Sequence, residues 1–258
     1  MTEKEYTCLM THVLDLGEAM LKCGAEVSRV EDSLRRIFAC YGAQDTDVLT
    51  ITSSIVLTVT FPESVVLTQT RRIRALKTDF SRLSAYNALS RHICEERPAP
   101  EEIRQALERI EEERLSGVER GVRECVGTIC ATGGFAVFFG GGAADFFAAS
   151  AVGLLMLGFD RLVRKRMDNT PAFNFVCMLC AGLVTLLLCT VFGKVDRDMV
   201  LIGAIMLIIP GVTFTNAARD ILLGDTISGS LRLLEAVLYA ASIAAGVAVA
   251  LMLGGVKL

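Results

Sequence analysis

The sequence predicts an α-helical integral membrane protein with about five transmembrane helices and an N-terminal α+β cytoplasmic domain. Three observations lead there. Charge is unevenly divided along the 258 residues: residues 1–120 hold 16 Lys/Arg and 20 Asp/Glu, whereas residues 121–258 hold 10 and 9. The second part contains charge-free runs at 125–144, 146–159, 169–193, 199–218 and 236–256, together 100 of its 138 residues. A helix needs about 20 mainly apolar residues to cross a hydrocarbon core of ~30 Å. The first part, by contrast, passes from helical to strand periodicity and back, as a folded soluble domain does. The boundary is drawn at residue 120, with a cytoplasmic domain over 1–120 and a transmembrane domain over 121–258.

The elements follow in order. Leu9, Val13, Leu16, Met20 and Leu21 form an apolar stripe over residues 7–23, and Gly24 stops that helix. Val27, Val30, Leu34, Ile37 and Phe38 mark a second helix ending at Gly42. From Val48 to Phe61 the chain reads VLTITSSIVLTVTF, with β-branched residues in alternation. A break near Ser53–Ser54 and the turn Pro62–Glu63–Ser64 divide it and Val65–Thr70 into three strands. Its threonines and period of two argue against a span. Helical spacing returns from Asp79 to Ile93, and a highly charged helix runs from Glu101 to about Leu115, with acidic residues at its start. The order is ααβββαα, and about 115 residues suffice for a core.

In the second part the spans are expected at 124–143, 145–163, 171–192, 199–218 and 234–254. The second is the shortest run, with 14 charge-free residues, and Leu162 and Val163 extend it. Arg161 can snorkel. Orientation follows the distribution of Lys/Arg near span ends. With the N-terminus inside, Arg114, Arg120, Arg123, Arg161, Arg164, Lys165, Arg166, Arg219 and Arg232 flank the cytoplasmic ends, and Lys194, Arg197 and Lys257 the outer ends. Nine against three places the N-terminus in the cytoplasm and the protein in the cell membrane, as a multi-pass protein among lipid. The polar start MTEKEYTCLM has no signal-peptide pattern. Small residues (Gly127, Gly133, Gly134, Ala240, Ala244, Gly246) would allow close helix contact, and Gly140–Gly142 suits a tight turn before Asp145.

Several classes are excluded. The net charge is −3 and no basic run occurs in the first part, so no nucleic-acid partner is expected. His12 and His92 lack cysteine partners at ligand spacing, so no metal site and no cofactor is expected. The nine cysteines show no disulfide pattern, and Cys177–Cys180 reads as apolar packing inside a charge-free run.

The richest stretch is PGVTFTNAARDILLGDTISGSLRLLE, Pro210 to Glu235. Pro210 and Gly211 interrupt an apolar run, and broken helices build the sites of many secondary transporters. Thr213, Thr215 and Asn216 follow, then Arg219, Asp220, Asp225, Ser228, Arg232 and Glu235. On helices Asn216 and Asp220, Ser228 and Arg232, and Arg232 and Glu235 share faces. Gly224 and Gly229 read as irregular backbone between two helices. Ionisable groups near membrane depth are costly and point to function. In the first part the run Gly24–Glu31, with Glu26, Arg29 and Glu31, offers a small polar site between two helices, or a plain i, i+3 ion pair.

MLKCGAEVSRVEDSLRRI resembles the first motif of the threonine/serine exporter family. The stretch from Pro210 to Glu235 resembles its membrane motif, and TQTRRI with DFSRLSAYNALSR also fits its soluble domain. The resemblance implies a cytoplasmic domain joined to membrane spans, about ten in long members and about five in short ones. Short members work with a second small membrane subunit, and one lineage is associated with succinate export. The implied function is therefore a secondary-transporter subunit, not an enzyme. It would export a small amino acid or a dicarboxylate as its small-molecule substrate, with proton coupling, and act with a second small subunit, a homo-oligomer, or both. A dicarboxylate requires two free arginines, and a zwitterion one cation beside one anion. The alternatives are a membrane-tethered sensor or scaffold, or a hydrolase using Ser28, His92 and Glu26, although no nucleophile motif surrounds them.

Overall fold

The computed structural model describes residues 1–73, 79–112, 117–167 and 169–255, without the side chains of residues 117, 118 and 165. Arg114, Leu115 and Lys257, which enter the helix and orientation expectations, lie outside the described residues, as does the side chain of Lys165. The chain divides into two compact units: Met1–Arg114 with Thr215–Leu233, and Leu115–Phe214 with Leu234–Leu258. The first unit therefore includes a segment that the sequence reading places in the transmembrane part.

In the first unit, α1 spans Glu3–Lys22 and α2 Val27–Cys40. α1 starts four residues before its apolar stripe because Thr2 caps it. The backbone N–H of Thr2 donates to Glu5 Oε2 at 2.7 Å, and that of Glu5 to Thr2 Oγ1 at 3.4 Å, a reciprocal box that satisfies two orphan donors. Strands β1 (Asp45–Ile51), β2 (Ser54–Phe61) and β3 (Val65–Arg72) form an antiparallel meander in that order. The break at Thr52–Ser53 leaves Ile51 paired with Ser54, a two-residue hairpin. Alternation places Ile55, Leu57, Val59 and Phe61 of β2 in the core, where α1 and α2 cover one sheet face. Helices α3 (Phe80–Glu96) and α4 (Pro100–Glu112) pack on the other side of α1. Asp79 caps α3 by accepting from Arg82 N–H at 3.1 Å. The hydroxyl of Tyr41 donates to Pro98 O at 2.6 Å, and burial pushes its pKa up to about 12.

The second unit is built from α5 (Gly117–Phe138), α6 (Ala143–Val163), α7 (Thr170–Val191), α8 (Arg197–Ile208) and the greater part of α10 (Thr226–Leu253). Between α8 and α10 lies α9 (Gly211–Leu222). Among the described residues, α6, α7 and α10 are each long and apolar enough to cross a membrane. The pair α8 and α9, bent by 54° at the Ile209–Pro210 break, makes up to four if it is one span. α5 is not among them: Glu119, Arg120, Arg123 and Glu124 occupy its first two turns. The short second run lies in a helix of 21 residues, with Gly142 as its N-cap and Arg161 in its last turn.

Glycines let these helices approach. A Cβ on Gly203 would lie 2.4 Å from Thr132 O, one on Gly153 2.6 Å from the Thr132 side chain, and one on Gly133 2.6 Å from Ser150 Oγ. Gly127 and Gly134, expected at contacts, face open space; Gly246 is tight, 2.5 Å from Phe175 O. Which small residue meets a neighbour depends on the crossing point of two helices, and periodicity along one helix does not give it. Asp145 is buried but satisfied: it accepts from Gly142 N–H at 2.7 Å and from Asp196 N–H at 2.7 Å. It thereby ties the start of α6 to the start of α8.

Candidate functional site

The two motifs singled out in the sequence are brought together within the first unit. Each is a helix, a glycine corner and a second helix. At the first corner Gly24 has φ +94°, Gly24 N–H donates to Leu21 O at 3.0 Å and Ala25 N–H to Met20 O at 3.0 Å. At the second, Gly224 has φ +97°, Gly224 N–H donates to Ile221 O at 3.1 Å and Asp225 N–H to Asp220 O at 2.9 Å. Both are Schellman caps, which require a left-handed residue and so favour glycine.

The second corner turns α10 back against α9. Gly229, expected in irregular backbone, is helical; it lies in the first turns of α10. Its role is close approach. A Cβ there would lie 2.6 Å from Ile221 Cγ1 and 2.8 Å from both Ala217 O and Ile221 N. This crossing carries Arg232 to Asp220. Arg232 Nη1 lies 3.1 Å from Asp220 Oδ2, with the Arg side chain 5% exposed and the Asp side chain 0%. The pair is an ion pair without hydrogen-bond alignment, and both carboxylate oxygens of Asp220 are buried without a hydrogen-bond partner. The second anchor of Arg232 is on the first motif: its Nη2 donates to Ala25 O at 3.2 Å.

A second pair joins the same two motifs. Arg219 Nη1 donates to Glu26 Oε1 at 2.7 Å. Glu26 is the N-cap residue of α2 and makes no side-chain capping bond, so its carboxylate is available to Arg219. An open pocket of about 420 Å³ is lined by Glu26, Ser28, Arg29, Asp32 and Arg219. The site thus holds two guanidinium–carboxylate pairs, one buried and one facing a pocket.

Other expected residues fall elsewhere. The i, i+3 pair of Glu26 with Arg29 does not form, because Glu26 is engaged by Arg219. Glu31 is structural: it pairs with Arg35 at 3.1 Å and accepts from Thr50 N–H at 2.8 Å, joining α2 to β1. Glu31→Ala is expected to cost about 1–3 kcal/mol of stability and to leave efflux per folded molecule unchanged. Thermal melting beside a transport assay checks both. Arg232 turns to Asp220, not to Glu235, which is exposed on the part of α10 in the other unit. Asn216 and Asp225 are half-buried, Ser228 is buried, and Pro210, Gly211 and Thr213 lie at the start of α9. There the α8 helix stops at Ile208 and Phe214 N–H donates to Pro210 O at 2.9 Å. The hydrolase arrangement is not assembled: His92 is exposed on α3 and does not line the pocket that holds Ser28 and Glu26. Among the described residues no group of three His, Cys, Asp or Glu could hold a metal ion. Two participants are not singled out by the sequence: Asp32, which lines the pocket one turn after Arg29, and Ala25, which acts through a backbone carbonyl, for which no residue type is a signal.

The threonine/serine exporter family model matches residues 11–254, a range that includes both motifs. The chain belongs to the threonine/serine exporter family. A curated relative, a threonine/serine exporter from Corynebacterium glutamicum, is 22% identical over 247 residues, which cover 92% of this chain and 50% of the relative. The chain therefore spans about half the length of that relative. No solved structure matches it. Family membership and the apolar helices α6, α7 and α10 together make this a membrane-embedded protein.

Proposed function

We propose that the chain is a subunit of a secondary exporter of small amino acids of the threonine/serine kind, with the Glu26–Arg219 and Asp220–Arg232 pairs as its substrate-handling group. The observation that carries this reading is the pairing itself. Among the described residues, each arginine of the motif already faces a carboxylate, at 2.7 Å and 3.1 Å. A zwitterion presents one carboxylate and one ammonium, so it can exchange partners with a guanidinium–carboxylate pair while every charge stays compensated. A dicarboxylate would have to displace a carboxylate from each arginine and leave it unpaired. The geometry therefore favours an amino acid over succinate.

In this reading the exposed Glu26–Arg219 pair opens first. It is solvated and worth about 0–1 kcal/mol, so substrate can compete for it. The buried Asp220–Arg232 pair holds the two corners in register. Its unbonded carboxylate oxygens are the natural acceptors for a proton or a substrate ammonium, which is where proton coupling would act. The cytoplasmic N-terminus, the five-span count, the cell-membrane location and a second small membrane subunit belong to the same proposal.

The test is efflux of serine, threonine and succinate from loaded cells, with and without this gene and a candidate partner subunit. Serine or threonine efflux that needs both genes is expected. Equal efflux with and without them overturns the proposal, and succinate efflux alone overturns the substrate assignment. Arg219→Ala is expected to abolish flux while the protein still reaches the membrane. Exchanging the charges, Glu26→Arg with Arg219→Glu, should recover part of the flux lost in either single variant. Full activity of both single variants removes the pair from the mechanism.

A further inference from the structure

A polar cleft on the first unit is not used by the proposed export function. Helices α2 and α3 pack side by side, and their polar faces line a cleft of about 390 Å³. From α2 come Arg29, Asp32 and Arg36, spaced by one helical turn each; from α3 come Asn87, Ser90 and Arg91, with Cys94 and the carboxylate of Glu95 at its far end. The charges are unequally satisfied. Arg36 pairs with Asp32. Among the described residues the guanidinium groups of Arg29 and Arg91 have no ion pair and no hydrogen bond, and the carboxamide of Asn87 has none either. The cleft thus combines a neutral donor with two cations that make no ion pair, and its lining of three arginines against Asp32 and Glu95 keeps an excess of one positive charge.

We propose that this cleft is a binding site for a small oxyanion-bearing molecule, a carboxylate or a phosphate, held by Arg29, Arg91 and Asn87. Two planar guanidinium forks from opposite walls suit the planar or tetrahedral oxygens of such a group. The inference does not depend on the export reading, since it rests on the cleft alone. Arg29 and Asp32 also line the pocket that holds Glu26 and Arg219, so the two places share a wall.

The cleft is built to bind and not to react. Burial, with a hydrogen bond to Cys40, pushes the Cys94 thiol up to about 11, so it is protonated near neutral pH and a poor nucleophile. The hydroxyl groups of Ser33 and Ser90 each donate to a carbonyl on their own helix, Arg29 O at 2.8 Å and Asn87 O at 2.9 Å. Neither has a histidine beside it in the cleft.

The test is isothermal titration of the full chain in detergent with inorganic phosphate and with succinate, and choline chloride as the control. Saturable binding of at least one anion is expected, with no binding of choline and weakening at high salt. Arg91→Ala should reduce the affinity by about tenfold or more, and Asn87→Ala by a smaller factor. Arg91 is exposed, so the melting temperature should not move. The relative strength of phosphate and succinate identifies the ligand class. Absence of saturable binding by either anion overturns the site, and so does binding that Arg91→Ala leaves unchanged. Transport is not part of the readout, so failure of the export proposal and failure of this one are distinguishable.

Discussion

Arg232→Ala is expected to cost about 3–5 kcal/mol of stability, because it leaves the fully buried carboxylate of Asp220 without a counter-charge. It also removes the hydrogen bond to Ala25 O that joins the two glycine corners. Thermal melting of the detergent-solubilised protein measures the loss. A second variant separates fold from function. The double replacement Asp220→Leu with Arg232→Met removes both charges and keeps apolar volume, and buried pairs replaced in this way are often as stable as before. It should restore most of the melting temperature and still lack efflux. A single variant that melts like the wild type contradicts the buried-pair geometry. A stable double variant that transports normally contradicts the functional role of the pair.

The second large effect is at the crossing of α9 and α10. Gly229→Ala should destabilise by about 1–3 kcal/mol or more, since the new Cβ would meet backbone atoms of α9 at 2.8 Å. Flexible side chains could yield at such a distance; Ala217 O and Ile221 N, held in a helix, cannot without moving α9. Gly134→Ala is the matched control, because its added Cβ meets open space and alanine is the better helix former. The expected result is a lowered melting temperature and lost efflux for Gly229→Ala, with Gly134→Ala at or slightly above wild type. Equal melting of the two variants would falsify the close crossing.

The legible parts of the fold are those written into local pattern. The strand alternation from Val48 to Phe61, the stripe of α2 and the turn at Pro62–Ser64 all lie where periodicity put them. The apolar stripe does not mark the start of α1, because its signal is a capping box at Thr2 and Glu5, two polar residues that carry no apolar period. Of the candidate site, both motifs and five of their residues (Gly24, Glu26, Arg219, Asp220, Arg232) are brought together in the first unit. The i, i+3 and i, i+4 arguments, however, picked the wrong partners. They paired Glu26 with Arg29 and Arg232 with Glu235, whereas the observed partners are 193 and 12 residues away. Helical spacing reports which residues share a face, not what that face meets.

By itself, the sequence determined the class of this protein: charge distribution and the length of apolar runs point to membrane helices following an α+β segment, and the two motifs mark the family. Only the tertiary structure decided that Thr215–Leu233 belongs with the first unit and that Gly24 and Gly224 form matching corners. It also decided that each arginine of the membrane motif has a carboxylate partner. The physical reason is that buried charges must find counter-charges wherever packing allows them. Which carboxylate each arginine meets, at 2.7 Å and 3.1 Å, is set by two backbone corners and one close helix crossing, which no local pattern records.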